Sequence, residues 1–358
     1  MKIVFLVPYP TRQAPSQRFR FEQYLHFFNH QRIRYDIAPF LDEATWKILY
    51  QRGKFKSKLW GIIKSLIKRK FLVLFGLFEY DYVFIHREAA PVGPPVFEWW
   101  IAKVLKKKII YDFDDAIWLP NTSQTNRLAA RLKWHNKVGS ICKWSYKISA
   151  GNDYLFDYAG QFNKNVVLNP TTIDTENLHN PVLYPQPKKL GKPVIGWTGT
   201  HSTLPYLKML VPILQKLEKQ FYFTFLIISN QPPDLPLKSI EFLPWNKETE
   251  IEDLLKIDIG VMPLSEDQWS KGKCGFKALQ YLSLNIPALV SPVGVNSKIV
   301  RHGENGFLCA TEAEWNENLK KLLVDIDLRQ RLGRKGRKDI ILNYSVLANR
   351  DNFMHLYD

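Results

Sequence analysis

Cysteine is scarce. Cys142, Cys274 and Cys309 are the only three in 358 residues and stand far apart, too few for a disulfide framework or a thiolate-held metal. That usage predicts a cytoplasmic location. Long apolar runs are missing as well. The N-terminus is continuously apolar only over residues 3–7 before Pro8 and Pro10 interrupt it, which reads as a first strand rather than a secretory signal. The most apolar region is broken by Lys64, Lys68, Arg69 and Lys70, short of the roughly 20 residues a membrane span requires. Acidic residues are absent between 44 and 78, where nine bases stand unopposed: Lys47, Arg52, Lys54, Lys56, Lys58, Lys64, Lys68, Arg69 and Lys70.

What is present is enough for well-filled interiors. Hydrophobic residues make up 46% and charged residues 23%, with 22 Phe, 16 Tyr and 11 Trp, so the chain is globular rather than disordered. Fifty Lys and Arg against 34 Asp and Glu leave +16, which directs attention to phosphates, anionic lipid and nucleic acid. No base-reading motif is visible, and the bases cluster beside apolar residues at helical spacing, so nucleic acid is the weakest of the three.

The length favours two domains. Strand-like runs alternate with helical patterns over residues 3–7, 17–29, 82–85, 96–105, 108–111, 147–150 and 165–168, a rhythm of βαβ units and a parallel sheet. Five prolines between Pro170 and Pro193 mark a linker. The rhythm then restarts at 193–197 and continues through 222–228, 240–243, 257–262 and 288–291. The expected division is a domain at 1–175, a linker at 176–192, a second domain at 193–340 and a terminal segment at 341–358.

The segment with most chemistry spans 257–300. A strand ends at Pro263, a glycine-bearing basic loop follows through Gly272, Lys273 and Gly275, and a helix starts near Phe276. Amides at such a helix start, with Lys273 and Lys277 beside them, suit a diphosphate. The alternative is that both lysines are merely solvated.

This stretch resembles the donor-binding region of family 4 glycosyltransferases, in which a strand, a glycine loop and a helix lead to Gly-x-Pro, a buried strand and another glycine loop. Asn285 stands at the first position of that Gly-x-Pro, with Pro287 at the last. His302-Gly303-Glu304-Asn305-Gly306 is similar to the family's next signature, and Asn169-Pro170-Thr171-Thr172-Ile173-Asp174 to its interdomain one. The resemblance implies an α/β fold of GT-B type, two Rossmann-like domains facing each other across a cleft. It implies transfer of a hexosyl group from a nucleoside diphosphate sugar, UDP- or GDP-linked, to a hydroxyl, with retention. Glycan, polysaccharide or glycolipid synthesis would be the setting. No cofactor or metal is expected, the nucleotide-sugar being a co-substrate, and 341–358 would return to the first domain.

The chain departs from the family in several places. Two glutamates usually stand eight positions apart; here those positions are Gly272 and Gln280. Gln280 can hydrogen-bond a ribose but carries no charge. Beside the turn Gly196-Trp197-Thr198-Gly199-Thr200-His201-Ser202 the family's phosphate-binding Arg and Lys are missing. That leaves Lys273 and Lys277 as the catalytic cations, and Gly199, Thr200, His201, Gly275, Phe276 and Gln280 as donor contacts. Ser202 or Thr203 is expected to cap the next helix. Pro244 and Trp245 occupy the family's nucleobase position, although Trp245 is equally readable as packing. These departures keep open a second reading, a non-catalytic partner protein that binds a sugar nucleotide.

In the first half Asp112, Asp114 and Asp115 cluster at the end of a strand. Three like charges there require a cation, an arginine or a substrate hydroxyl. The expectation is a catalytic Asp114 and an acceptor contact at Asp115; a metal-binding Asp-x-Asp of the other glycosyltransferase fold is the alternative. Arg18, Arg20, His86, Arg87 and Glu88 also follow strands and are expected to grip a glycan or lipid-linked acceptor. Finally, Leu59, Ile62, Ile63, Leu66, Ile67 and Leu74 recur at helical spacing among Lys58, Lys64, Lys68 and Arg69. The pattern over 52–75 suits a helix lying on an anionic membrane, peripheral to its inner face; the alternative is a helix packed on its own domain.

Overall fold

The computed structural model describes residues 1–49, 51, 53–120, 134–185 and 191–358; Arg52 of the basic run lies outside them. The chain divides into two compact units, one of Met1–Thr171 with Arg350–Asp358, the other Thr172–Asn349. The change of unit therefore comes before the expected linker. Residues 172–184 are tied into the second unit by Arg337, which donates to the carbonyls of His179 at 2.8 Å and Thr175 at 3.2 Å.

Each unit is built on one six-stranded sheet. In the first, β1 (Lys2–Val7), β2 (Arg34–Pro39), β3 (Tyr82–His86), β4 (Lys108–Phe113), β5 (Lys147–Ala150) and β6 (Val166–Leu168) run parallel in the order β2-β1-β3-β4-β5-β6. In the second, β7 (Val194–Gly199), β8 (Thr224–Ser229), β9 (Ile240–Pro244), β10 (Ile259–Met262), β11 (Ala288–Val290) and β12 (Gly306–Leu308) run parallel as β12-β11-β10-β7-β8-β9. Central strands such as β3 and β8 are buried at every residue, because helices cover both faces of a parallel sheet. The edge strands β2 and β9 alternate between exposed and half-buried positions.

Strand order reverses direction at one place in each sheet. The first unit adds β2 on one side of β1, then crosses to β3 on the other. The second winds from β7 outward through β8 and β9, then returns to β10 on the opposite side of β7. Loops that leave neighbouring strands toward opposite faces open a crevice at the carboxyl ends, where α/β sheets bind ligands.

At the second of these points the strands part. β7 pairs with β8 along six residues but with β10 only at Ile195 and Gly196, opposite Ile259 and Gly260. Tyr281 fills the gap: its buried hydroxyl accepts from Thr198 N at 3.1 Å and reaches toward the Val261 carbonyl at 3.5 Å. Burial raises its pKa, which keeps the phenol a neutral donor. A side chain at Gly260 would run into the Tyr281 ring, and one at Gly196 into Ile257.

Several helices differ from the sequence reading. The helix expected over 17–29 is two short ones, Pro15–Arg20 and Leu25–His30, joined by a 3₁₀ turn. The helix expected after the Gly196–Ser202 turn begins as a 3₁₀ segment, Leu204–Leu210, before Val211–Leu217. Neither Ser202 nor Thr203 caps it by a side chain; the Thr203 hydroxyl instead donates to Thr200 O at 3.1 Å. The basic stretch 329–338 is the interior of a helix, Ile326–Asn343. Gly333 and Gly336 let it lie against Asn285 and Leu282. The last nine residues join the first unit through Phe353, stacked on Tyr24 with centroids 4.3 Å apart.

Gly260→Ala should therefore destabilise the second unit by about 1–3 kcal/mol, as overpacking of a filled interior does. Urea denaturation of both proteins measures the difference.

Candidate functional site

Three loops meet at the reversal point of the second sheet, after β7, β10 and β11. The β7 loop is held in shape by its own hydroxyls, Thr200 Oγ1 lying 2.8 Å from Ser202 Oγ. It is pinned to the loop after β8, His201 N donating to Asn230 Oδ1 at 2.8 Å. Tyr206 OH, farther along, lies 3.1 Å from Ser270 Oγ in the β10 loop. The β11 loop presses on the same segment: Gly294 has φ +57°, and a Cβ there would come within 2.7 Å of Lys271 O.

The β10 loop contains one helical turn, Gln268–Lys271, whose N-cap Asp267 accepts from Ser270 N at 2.7 Å. It ends at Gly275, with φ +68°, directly before the helix Phe276–Ser283. A side chain at Gly275 would strike Ile299 and approach Asn296 Oδ1 at 3.3 Å. The left-handed turn and the close approach both require glycine. Asn296 is buried and donates from Nδ2 to Ser291 O at 3.0 Å, while its Oδ1 has no hydrogen-bond partner among the described residues.

Lys273 and Lys277 flank this helix start. Lys273 Nζ lies 5.1 Å from the Trp269 ring centroid, and Lys277 Nζ 5.5 Å from that of Trp197 in β7. The contact places Lys277 next to the strand that carries Gly199. The helix closes with a Schellman turn, Ile286 N donating to Tyr281 O at 3.0 Å, and Asn285 takes the left-handed conformation at φ +62°. Asparagine at the usual glycine position is thereby explained, since both tolerate that backbone.

Lys277 lies beside β7, which carries Gly199, with Thr200 and His201 on the loop after that strand and Lys273, Gly275 and Phe276 on the segment after β10. Gln280 is not with them. It is buried, with Nε2 3.5 Å from His179 Nε2, so its side chain faces the interior of the unit. Pro244 and Trp245 lie at the carboxyl end of β9, two strands beyond β7, where Trp245 N donates to Ser229 O at 2.9 Å. Sequence reasoning missed Tyr281, Tyr206, Ser270, Gly294 and Asn296. Only the glycine could have been suspected from its residue type.

In the first unit the three carboxylates have cations of their own. Asp112 is buried between Arg20, which forms a close ion pair with it, and His86, whose Nδ1 lies 2.7 Å from Asp112 Oδ2. The Ser149 hydroxyl donates to Asp112 Oδ1 at 2.6 Å, and Arg20 also donates to the Asn169 carbonyl. Burial opposes the charge on Asp112, but Arg20 and His86 outweigh it and hold the carboxyl below the usual range. Arg20 and His86 are accordingly interior residues, not the acceptor contacts expected.

Arg87 directly follows β3 with φ +62° and forks between Asp114 Oδ1 at 2.7 Å and Asp115 Oδ2 at 2.6 Å. Burial weakens its charge, yet the two carboxylates keep its pKa well above the ordinary arginine value. Glu88 pairs with the buried Lys137 at 2.7 Å. Arg18 is partly buried, with its guanidinium carbon 4.9 Å from the Phe19 ring centroid. The three aspartates are thus divided between two separate cation partners rather than gathered on one point.

Asp112→Asn should cost about 3–5 kcal/mol, the scale for breaking a buried pair and leaving its partner uncompensated. The sign of the pH dependence follows from the lowered pKa. The stabilisation is present above about pH 3.9, the unfolded carboxyl value, and is lost as pH falls from there toward the lower folded value. Urea midpoints of wild type and variant should converge only in strong acid.

Residues 234–339 match the family model described as glycosyl transferases group 1. A curated relative, glycosyltransferase 1 domain-containing protein 1 of Xenopus tropicalis, is 25% identical over 120 residues, 34% of this chain and 34% of that protein. The match spans about a third of the relative's length. Among solved structures, a glycosyltransferase from Rickettsia africae superimposes with a TM-score of 0.69 at 13% identity, covering 99% of this chain and 97% of that one. Anabaena HepE in complex with UDP-glucose gives 0.67 at 15%, covering 99% and 98%. Sucrose-phosphate synthase from Thermosynechococcus elongatus gives 0.67 at 12%, covering 100% and 98%. The chain has the GT-B fold, and its residues 234–339 are similar to glycosyl transferases group 1.

Proposed function

We propose that the protein transfers a sugar from a nucleoside diphosphate sugar to a hydroxyl, with the donor at the reversal point of the second sheet. One observation carries the reading. The loops after β7, β10 and β11 converge on a helix start that offers backbone amides, with Lys273 and Lys277 on either side. The family match over 234–339 includes this helix, and one structural relative is described with UDP-glucose bound.

The chemistry follows from where charge develops. As the bond from the sugar to the diphosphate breaks, negative charge grows on the leaving phosphate. Preorganised amides at Phe276 and Lys277 and the two ammonium groups stabilise it more than they do the ground state. The departing phosphate oxygen can take the acceptor's proton on the same face, which gives retention without a protein base. Unlike the paired glutamates usual in the family, Gly272 and the inward-facing Gln280 bring no negative charge near it. Acceptor binding is assigned to the corresponding reversal point of the first sheet, where Arg18, Arg87, Glu88, Asp114 and Asp115 remain at least partly accessible.

The missing glutamates also favour a second reading, a protein that binds a sugar nucleotide without turning it over. Thermal shift with UDP, GDP and their sugars, followed by transfer and hydrolysis assays, separates the two. Stabilisation by a nucleotide with no turnover on any donor supports the second. For the enzyme, Lys273→Ala and Lys277→Ala should each lower kcat by about 100-fold or more, the scale for one lost oxyanion donor. Their melting temperatures should stay near wild type. Wild-type turnover in both variants would overturn the assigned site.

A further inference from the structure

The helix Phe55–Phe71 is built inside out. Gly61, Ser65 and Arg69, spaced four apart, are its buried residues. Gly61 lies so close to Thr45 of the neighbouring helix Glu43–Leu49 that a side chain there would run into it. Arg69 donates to Ala38 O at 2.8 Å, and burial brings its pKa down to about 10, still charged at neutral pH. The opposite face is apolar and open to solvent. Phe55, Leu59, Ile63, Ile67, Phe71 and Phe75 follow one another at intervals of four, every one exposed, with Trp60 beside them. Phe55 is 74% exposed, Trp60 68% and Phe75 68%.

Of the residues expected to form one apolar stripe, Ile62 and Leu66 turn inward while Leu59, Ile63 and Ile67 face out. A soluble helix normally buries the wider apolar face and leaves small or charged residues outside. Here a row about 30 Å long at helical rise is uncovered. It is too large to be a scatter of single exposed side chains. Lysines rim it: Lys54, Lys56, Lys64, Lys68 and Lys70 are all exposed, Lys64 pairs with Asp42 at 3.2 Å, and no acidic residue lies between 44 and 78.

We propose that this face is a membrane-docking surface that lies in the headgroup region of an anionic bilayer. The aliphatic and aromatic row enters the boundary of the acyl chains while the lysines meet lipid phosphates. Charge complementarity selects this occupant. A second copy seated face to face would set lysine against lysine on a chain of net charge +16. The helix lies flat rather than spanning, since no helix among the described residues is long and apolar enough to cross a membrane. The proposal is independent of the donor site.

The test is sedimentation of the full chain with vesicles of phosphatidylcholine, with and without phosphatidylglycerol. Wild type should pellet with the anionic vesicles, and brominated acyl chains should quench fluorescence that Trp60→Phe removes. Ile63→Glu with Ile67→Glu, both outward-facing, should stay in the supernatant with an unchanged melting temperature. Each of Lys68 and Lys70 changed to Gln should lower partitioning about fivefold, equivalent to the roughly 1 kcal/mol per base near such a surface. The proposal is overturned by wild type that ignores anionic vesicles, by a double-Glu variant that binds as wild type, or by a dimer in ultracentrifugation that Ile63→Glu dissociates. Tighter binding to duplex DNA than to vesicles at matched salt also overturns it.

Discussion

The parting of β7 from β10 is the constraint on which the second unit's site depends. Two strands that pair for only two residues and then diverge leave backbone groups open in a buried place, and an unpaired buried amide is costly. Tyr281 resolves this by lending one hydroxyl to both strands. Its ring needs the space that Gly260 leaves, which anchors the helix Phe276–Ser283 behind the gap. With that helix anchored, its first residues must emerge at the carboxyl edge of the sheet. Gly275 turns the chain into it there, and Gly294 and Asn296 close the other side. The apparent looseness of a parallel sheet at its reversal point is thus stabilised by one polar atom and three missing side chains.

Most of the fold was legible in the sequence because it rests on short-range pattern. Continuous apolar runs such as those in β3 and β8 need no partner to be read as buried strands. The loop Gly272–Gly275 and its lysines were legible for the same reason, being local in sequence. Boundaries were less so. The prolines between 170 and 193 suggested a linker, yet Arg337, over 150 residues away, ties that stretch into the second unit. Nothing in a local window carries such a bond.

The same limit explains the residues whose role changed. The sequence pattern places Asp112 and His86 near strand ends and Arg20 after the first strand; it does not show that they face one another. Arg20 and Asp112 are 92 positions apart. Their mutual burial turns what looked like an acceptor grip into an interior ion pair, and Arg87 similarly answers Asp114 and Asp115. Periodicity has an equivalent blindness. It identifies the two faces of the helix Phe55–Phe71 without saying which faces the sheet, and the usual assumption puts the apolar side inward. Gly61 reverses it, because only a face without side-chain bulk can come so close to Thr45.

Net charge, finally, has to be divided before it can point to a partner. Of fifty basic residues, Arg20 and Lys137 are buried in ion pairs, Arg87 is partly buried in another, and Arg69 is buried against backbone carbonyls. Arg337 is occupied by backbone carbonyls and Arg301 by Asp339. These cations shape the fold and present little field to solvent. What remains is not uniform. One group rims an exposed apolar row; two lysines stand at a helix start beside an opened sheet. The first arrangement combines charge with greasy surface and therefore favours an interface between water and hydrocarbon. The second combines charge with directed amides and therefore favours a discrete anion. Both are consistent with the same excess of +16, and only the neighbours of each base distinguish them.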